Sequence, residues 1–218
     1  MSYGAIFNGE LVYKIIFLVL FIPGVFVRGL YAYKIRPYVK RRSLRERLKF
    51  LFETEGYLGA LLLLGQGVVL FVGLVIYLFY TSWYPWLQIS LPSVIQWIGF
   101  VIGIPGLALL AWTHYTLDKY WSVAIEFREE HKLITDGPYK WIRHPMYTAH
   151  LIYFLSWALV TSNVLLLINY ILTVVIIARR IPKEEKALIE KFGQKYISYM
   201  RKTGQLIPCV KLKLKDRE

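Results

Sequence analysis

The chain has 218 residues, of which 56% are hydrophobic and 19% charged. This balance excludes a disordered chain and exceeds the roughly 45–50% apolar share of a soluble domain, even when 17 Tyr are exchanged for 15 Gly to match the usual apolar set. Lys and Arg total 27 against 14 Asp and Glu, a net charge of +13 that suits nucleic acid, an anionic membrane surface or a topology signal. A lone Cys209 cannot form an intramolecular disulfide, and with no CxxC or Cys/His cluster no metal is expected.

Taken in order, Leu11 to Tyr33 is apolar except for Lys14 and Arg28 near its ends, where long cationic side chains snorkel to the interface. It reads as a first crossing, kinked at Pro23-Gly24. It lacks a small-residue cleavage site and its basic flank follows the apolar run, so it is expected to stay in the mature chain and not to act as a signal peptide. Tyr57 to Tyr80 carries no charge and matches the ~20 residues a helix needs to cross a bilayer. Its Gly65-Gln66-Gly67 is expected to pack helices, not to cradle a nucleotide. Leu91 to Leu117 is a third crossing, interrupted by Pro105-Gly106, with His114 near its end. Pro145 to Ala178 is too long for one span and holds Thr161-Ser162-Asn163, which suits a tight turn between two shorter crossings. Finally, Lys183 to Arg201 reads as a surface helix with Leu188, Phe192, Tyr196 and Tyr199 on one face and Gly193 in its middle. This helix is expected to lie against the membrane or cap the cytoplasmic loops.

Charge tests the five-span reading independently of hydropathy. The loop after the first crossing holds Lys34, Arg36, Lys40, Arg41, Arg42, Arg45, Arg47 and Lys49, and the Asp118 to His144 loop and the C-terminal segment are also basic. The Thr81 to Ser90 loop is uncharged and carries Trp83, Tyr84 and Trp86, an aromatic belt. Alternation therefore holds at every loop, with the N-terminus outside and the C-terminus cytoplasmic. A positive-inside loop accounts for Arg41-Arg42 without a nucleic-acid or acidic-lipid partner. The expected fold class is an all-α integral membrane protein of about five transmembrane helices, one domain over 1–218, with three crossings in 1–117 and the functional region in 118–218.

Two clusters on the cytoplasmic side are dense in reactive residues. In Asp136-Gly137-Pro138-Tyr139-Lys140-Trp141-Ile142-Arg143-His144-Pro145-Met146-Tyr147, a Gly-Pro turn leads to Pro145 at a helix start. Free amides there, beside Arg143 and His144, suit an anion such as a carboxylate, whereas a bland reading makes the string an interfacial anchor. In Arg179-Arg180-Ile181-Pro182-Lys183-Glu184-Glu185, Arg180 and Glu184 form an i,i+4 ion pair in one reading. In the other, Arg180 grips a carboxylate in a bidentate fork and Glu184 neutralises an ammonium or sulfonium. His114 and His150 are read as hydrogen-bonding a neighbouring helix and not as functional.

The string GPYKWIRHPMY from Gly137, a hydrophobic hairpin, then Arg180, Glu184-Glu185, Phe192-Gly193, Tyr196, Tyr199 and Leu206-Ile207-Pro208, resembles the isoprenylcysteine carboxyl methyltransferase family over about the C-terminal half. The resemblance implies an integral-membrane enzyme that transfers a methyl group from S-adenosyl-L-methionine, without metal and without a soluble nucleotide-binding domain. It implies cofactor contacts at Glu126, His131, Lys132, Leu133, Ile134, Tyr139, His144, Pro145, Met146, Tyr147 and Glu184, a carboxylate grip by Arg180, and Arg180 and Glu184 as the catalytic pair. The implied acceptor is the carboxylate of a lipophilic, prenylated-cysteine-like substrate taken from the membrane lipid, with no nucleic-acid partner. A carboxylate is ionised at pH 7 and needs no general base, so alignment and desolvation are the main demands of the displacement. Amine or thiol methylation, an NADPH-dependent membrane reductase and a non-enzymatic scaffold are the alternatives.

Overall fold

The computed structural model describes residues 3–38, 42–118 and 132–209. Its helices are α1 Tyr3–Lys34, α2 Leu44–Phe79, α3 Ser93–Leu117, α4 Pro145–Thr161, α5 Val164–Phe192 and α6 Gln194–Met200. Local chemistry sets their ends. Ser43 accepts from the Glu46 amide while the Glu46 carboxylate accepts from the Ser43 amide at 2.7 Å, a reciprocal cap that starts α2. Pro145 starts α4, where its missing N–H costs nothing. The predicted turn is present: Ser162 adopts a left-handed conformation and Asn163 Oδ1 accepts from the Leu165 and Leu166 amides to open α5.

Three details differ from expectation. Helix α1 runs through Pro23, and the non-helical backbone lies instead at Gly56 (φ 74°) in α2, a conformation glycine adopts without a Cβ penalty. That break falls one residue before the predicted second crossing, so residues 44–55 form a charged helical extension of it. Helix α5 does not stop near Ala178 but continues through Pro182 to Phe192, and Gly193 (φ 54°) separates it from α6. The predicted surface helix is thus the end of α5 plus α6. Thirdly, a Cβ at Gly65 or Gly67 meets no atom within 4 Å, so these glycines do not pack helices; Gln66 makes the contact by donating to Thr173 Oγ1 at 2.6 Å.

The contacts order the bundle along the membrane normal. Helix α3 packs on α4 through Gly99, Gly103 and Gly106, small residues that bring the backbones close. Gln96, near the start of α3, donates to Val160 O and Ser162 Oγ at the end of α4, and Thr116 near the end of α3 meets Gly137 just before α4. The two helices are therefore antiparallel and traverse the same layer. Helices α2 and α5 pair likewise, from Gly73 against Leu165 and Leu166, through Gln66–Thr173, to Glu55–Arg180. Helices α1, α2, α3 and α5 are each long and apolar enough to cross a membrane. The 17 residues of α4 extend roughly 25 Å and lie alongside α3, so the bundle is consistent with about five crossings of an integral membrane protein. An aromatic and aliphatic core of Phe17, Leu20, Tyr77, Leu110, Tyr153 and Trp157 ties α1 to α2, α3 and α4.

Candidate active site

The loop that precedes α4 is held from the C-terminal side. The amides of Arg143 and His144 donate to Gly204 O and Gln205 O at 2.8 and 3.1 Å, the Gly204 amide donates to Trp141 O, and Thr148 Oγ1 donates to Leu206 O at 2.6 Å. The segment around Leu206-Ile207-Pro208 therefore clamps the string ending in Arg143-His144-Pro145-Met146-Tyr147. It occupies the amides of Arg143 and His144 and leaves the first turn of α4, where the sequence suggested an anion, outside the clamp. Arg143 Nε donates to Glu185 Oε1 at 2.9 Å, its Nη1 reaches the Met200 and Thr203 carbonyls, and His144 Nε2 lies 3.1 Å from the same Glu185 oxygen. An ionised carboxylate only accepts, so His144 donates from Nε2, and its Nδ1 faces Glu184, 3.7 Å away. Burial acts to raise the Glu185 pKa, but hydrogen bonds from His144 and Arg143 and their charge outweigh it and hold the carboxyl down at about 2. The Arg143–Glu185–His144 cluster is thus an ionised brace under the loop.

Beside it opens a cavity of about 610 Å³ with two unlike ends. The polar end is walled by Lys132, Leu133, Ile134, Tyr139, His144, Tyr147, Glu184, Tyr196 and Tyr199. The ring of Tyr147 stacks on His144 at 5.5 Å, and Tyr199 donates to the carbonyl of Tyr139. Burial, and then the negative charge of Glu184, pushes the Tyr139 phenol well above its usual value; burial followed by Glu185 does the same for Tyr196. Both stay neutral and serve as ring walls, not as acids. The apolar end reaches to membrane depth, with Phe21 and Val25 of α1, Leu63, Leu70 and Leu74 of α2, Phe154 and Trp157 of α4, and Ile176 and Ile177 of α5. Arg180 lies between the ends and pairs with Glu55 of α2 at 3.0 Å.

Of the residues singled out in the sequence, Lys132, Leu133, Ile134, Tyr139, His144, Met146, Tyr147, Arg180 and Glu184 all line this one cavity. Pro145 is buried at the start of α4 and does not line it, and Glu126 and His131 lie outside the described residues. The ion pair made by Arg180 crosses to Glu55, in place of the bland i,i+4 partner, while Glu184 faces His144. Leu188, Phe192, Tyr196 and Tyr199 do share a face, but it is turned into the cavity. Three participants were not anticipated: Glu55, Arg28 and His150. His150 lines the cavity and accepts a hydrogen bond from Arg28 of α1 at 2.9 Å, so its link to a neighbouring helix is real but lies within the site. An arginine inside an apolar run was the available signal for it.

The described residues thus form a helical bundle with membrane-length helices around a chamber that joins a charged aromatic end to an apolar end. Residues 97–190 match the family model of the isoprenylcysteine carboxyl methyltransferase (ICMT) family. It is 27% identical over 180 residues to protein-S-isoprenylcysteine O-methyltransferase B of Arabidopsis thaliana, covering 73% of this chain and 88% of that one. It is 40% identical over 122 residues to protein-S-isoprenylcysteine O-methyltransferase of Saccharomyces cerevisiae, covering 52% of this chain and 48% of the relative. For the Xenopus laevis protein of that name the identity is 32% over 135 residues, covering 60% and 46%. The chain thus spans about half the length of the yeast and frog relatives. A solved eukaryotic intramembrane Ras methyltransferase shares the fold at a TM-score of 0.55 and 18% identity, over 91% of this chain and 73% of that one.

Proposed function

We propose that the protein methylates the carboxylate of a lipophilic, prenylated-cysteine-like acceptor at the cytoplasmic membrane face, with S-adenosyl-L-methionine as donor. The observation that carries this reading is the single cavity whose polar end and apolar end meet at Arg180. The residues present fit the donor. A sulfonium and an ammonium suit a chamber with the Glu184 carboxylate and the ring faces of Tyr139, Tyr147 and Tyr196, and the donor's carboxylate suits Lys132. When bound, the donor supplies an electrophilic methyl group on positively charged sulfur.

The chain's own part is alignment and exclusion of water. Glu184 neutralises cationic charge, the tyrosine walls close off solvent, and the ionised Arg143–Glu185–His144 brace fixes the loop that carries His144 and Tyr147. Arg180 holds the acceptor carboxylate with guanidinium N–H groups, so that an oxygen lone pair faces the polar end while the apolar tail lies among Leu63, Leu70, Leu74 and Phe154. No proton needs to move, because the nucleophile is already ionised. The basic loops after α1 and α3 support a cytoplasmic position for this end, from which a water-soluble donor would enter.

The test supplies protein in lipid with methyl-labelled donor and a farnesylated cysteine analogue, and asks whether the transferred label is released by mild alkali. Carboxyl methylation gives alkali-labile label, and Arg180→Ala is expected to reduce its formation by about two orders of magnitude while donor binding persists. Alkali-stable label moves the function to an amine or thiol acceptor.

A further inference from the structure

We propose that Glu55 is the positioning residue for Arg180: the break at Gly56 aims its carboxylate from α2 across to α5, where it fixes the direction in which the guanidinium meets the acceptor. The inference rests on the carboxylate reading above and deepens it with a residue outside the stretch that matches the family model.

The aim is built into the backbone. Gly56, with φ 74°, turns the chain between Glu55 and the membrane-spanning part of α2. A Cβ at Gly56 would meet no atom within 4 Å, so conformation and not space demands glycine there. At Gly59 space is what matters, because a Cβ would fall 3.0 Å from the Cβ of Glu55 and 3.8 Å from its Oε2. Residues four apart on an unbroken helix keep their Cβ atoms about 5–6 Å apart. The turn at Gly56 therefore folds Glu55 over Gly59. So placed, the buried Glu55 is held from α5 at two atoms: Arg180 Nη2 lies 3.0 Å from its Oε1, and Lys183 Nζ donates to its carbonyl at 2.7 Å.

Glu55 does not line the chamber itself. It borders a second, small cleft, which shares Leu63, Ile176 and Arg180 with the chamber. The Arg180 side chain thus stands in the wall between the two, with its anchor on one side and the acceptor's place on the other. An arginine has many rotamers, and the one it takes decides where a carboxylate oxygen held by its planar fork will point. In a displacement that depends on alignment, a misplacement of about 1 Å costs about two orders of magnitude in rate. Glu55 selects the rotamer in the folded protein, before the acceptor arrives. Its own negative charge opposes that of the acceptor, so what it contributes is direction and not attraction.

The experiment uses the full chain in lipid nanodiscs with methyl-labelled donor and a farnesylated cysteine analogue. It measures the single-turnover rate of methyl transfer, the acceptor concentration at half-saturation, donor Kd and the thermal midpoint. Glu55→Met keeps the reach but not the accepting oxygens, and is expected to lower the rate about tenfold or more, with acceptor half-saturation not raised and donor Kd unchanged. Glu55→Gln, whose amide oxygen accepts in the same place, should bring the rate back to within about threefold of wild type, although loss of the buried charge lowers its thermal midpoint. Gly59→Ala keeps both charges but displaces Glu55, and should slow transfer with donor Kd unchanged. A wild-type rate in Glu55→Met would overturn the proposal, as would a Gln variant as slow as the Met variant. A slower rate accompanied by equal weakening of donor and acceptor binding would also overturn it, because general loosening of the bundle produces that pattern. If Glu55→Met does not fold, Gly59→Ala decides, and a wild-type rate there overturns the proposal equally. Absence of alkali-labile methylation in the wild type sinks the carboxylate reading itself, whereas alkali-labile methylation that Glu55→Met leaves at the wild-type rate sinks only the positioning role.

Discussion

Glu55 and Arg180 lie where water does not compensate their charges: Glu55 is 5% exposed, its carboxylate meets Arg180 at 3.0 Å, and its backbone carbonyl accepts from Lys183 at 2.7 Å. Removing one member of such a pair strands the other, which costs about 3–5 kcal/mol in buried pairs. Glu55→Ala is therefore expected to lower the thermal midpoint in detergent by several degrees, and combining it with Arg180→Met should cost less than the sum of the two changes. An additive double variant would mean that the pair is not coupled. Glu55 also shows what the sequence could not display. It stands in a charged stretch before an uncharged span, where a solvated carboxylate is the ordinary expectation, and only the break at Gly56 and the packing of α2 on α5 bring it to Arg180. Arg28 was visible as a charge in an apolar run, but a run gives depth and not the face, so snorkelling and cavity lining looked alike.

At the scale of elements, α1 and α4 approach closely at Gly24 and Tyr153. The Tyr153 hydroxyl donates to Leu20 O at 2.6 Å, and a Cβ added at Gly24 falls inside the van der Waals envelope of that hydroxyl. Gly24→Ala is expected to destabilise the bundle by about 1–3 kcal/mol through overpacking. Tyr153→Phe removes the hydroxyl and should relieve part of that cost while itself losing about 1 kcal/mol of hydrogen bonding. Thermal unfolding of the two single variants and the double checks this, and equal destabilisation by Gly24→Ala in both backgrounds rejects the contact. The hairpin turn was legible, because Ser162 and Asn163 announce it through local chemistry, whereas the sequence pattern carried one helix through Gly193, where the structure breaks it. The continuation of α5 past Pro182 was not legible either. A proline removes a helix hydrogen bond, yet on either side of it Arg180 and Lys183 bond to Glu55 of α2, and these tertiary contacts carry the helix through.

For the whole molecule, the order of contacts and the distribution of charge make the same division. The uncharged aromatic loop after α2 meets the α4–α5 turn, through Gln88 against Asn163 and the Ile89 amide donating to Ser162 O. The cavity's polar end and the described residues that follow α1, precede α4 and follow α6 lie at the opposite end. An odd number of crossings, α3, α4 and α5, therefore separates that aromatic loop from Cys209. Cys209 is the chain's one cysteine and is exposed, which makes it a native reporter of sidedness. A membrane-impermeant maleimide should label it in inside-out vesicles and not in intact cells, because basic loops stay cytoplasmic. In a Cys209→Ser background, Ser82→Cys, on an exposed position of the aromatic loop, should label in intact cells and be protected in inside-out vesicles. Labelling of both positions from the same side would remove one crossing from the α3–α5 unit, and α4, the shortest of the three, is the helix that would then have to turn back within the membrane. Labelling of both from the reverse sides would keep five crossings but put the polar end of the cavity outside, away from a cytoplasmic donor.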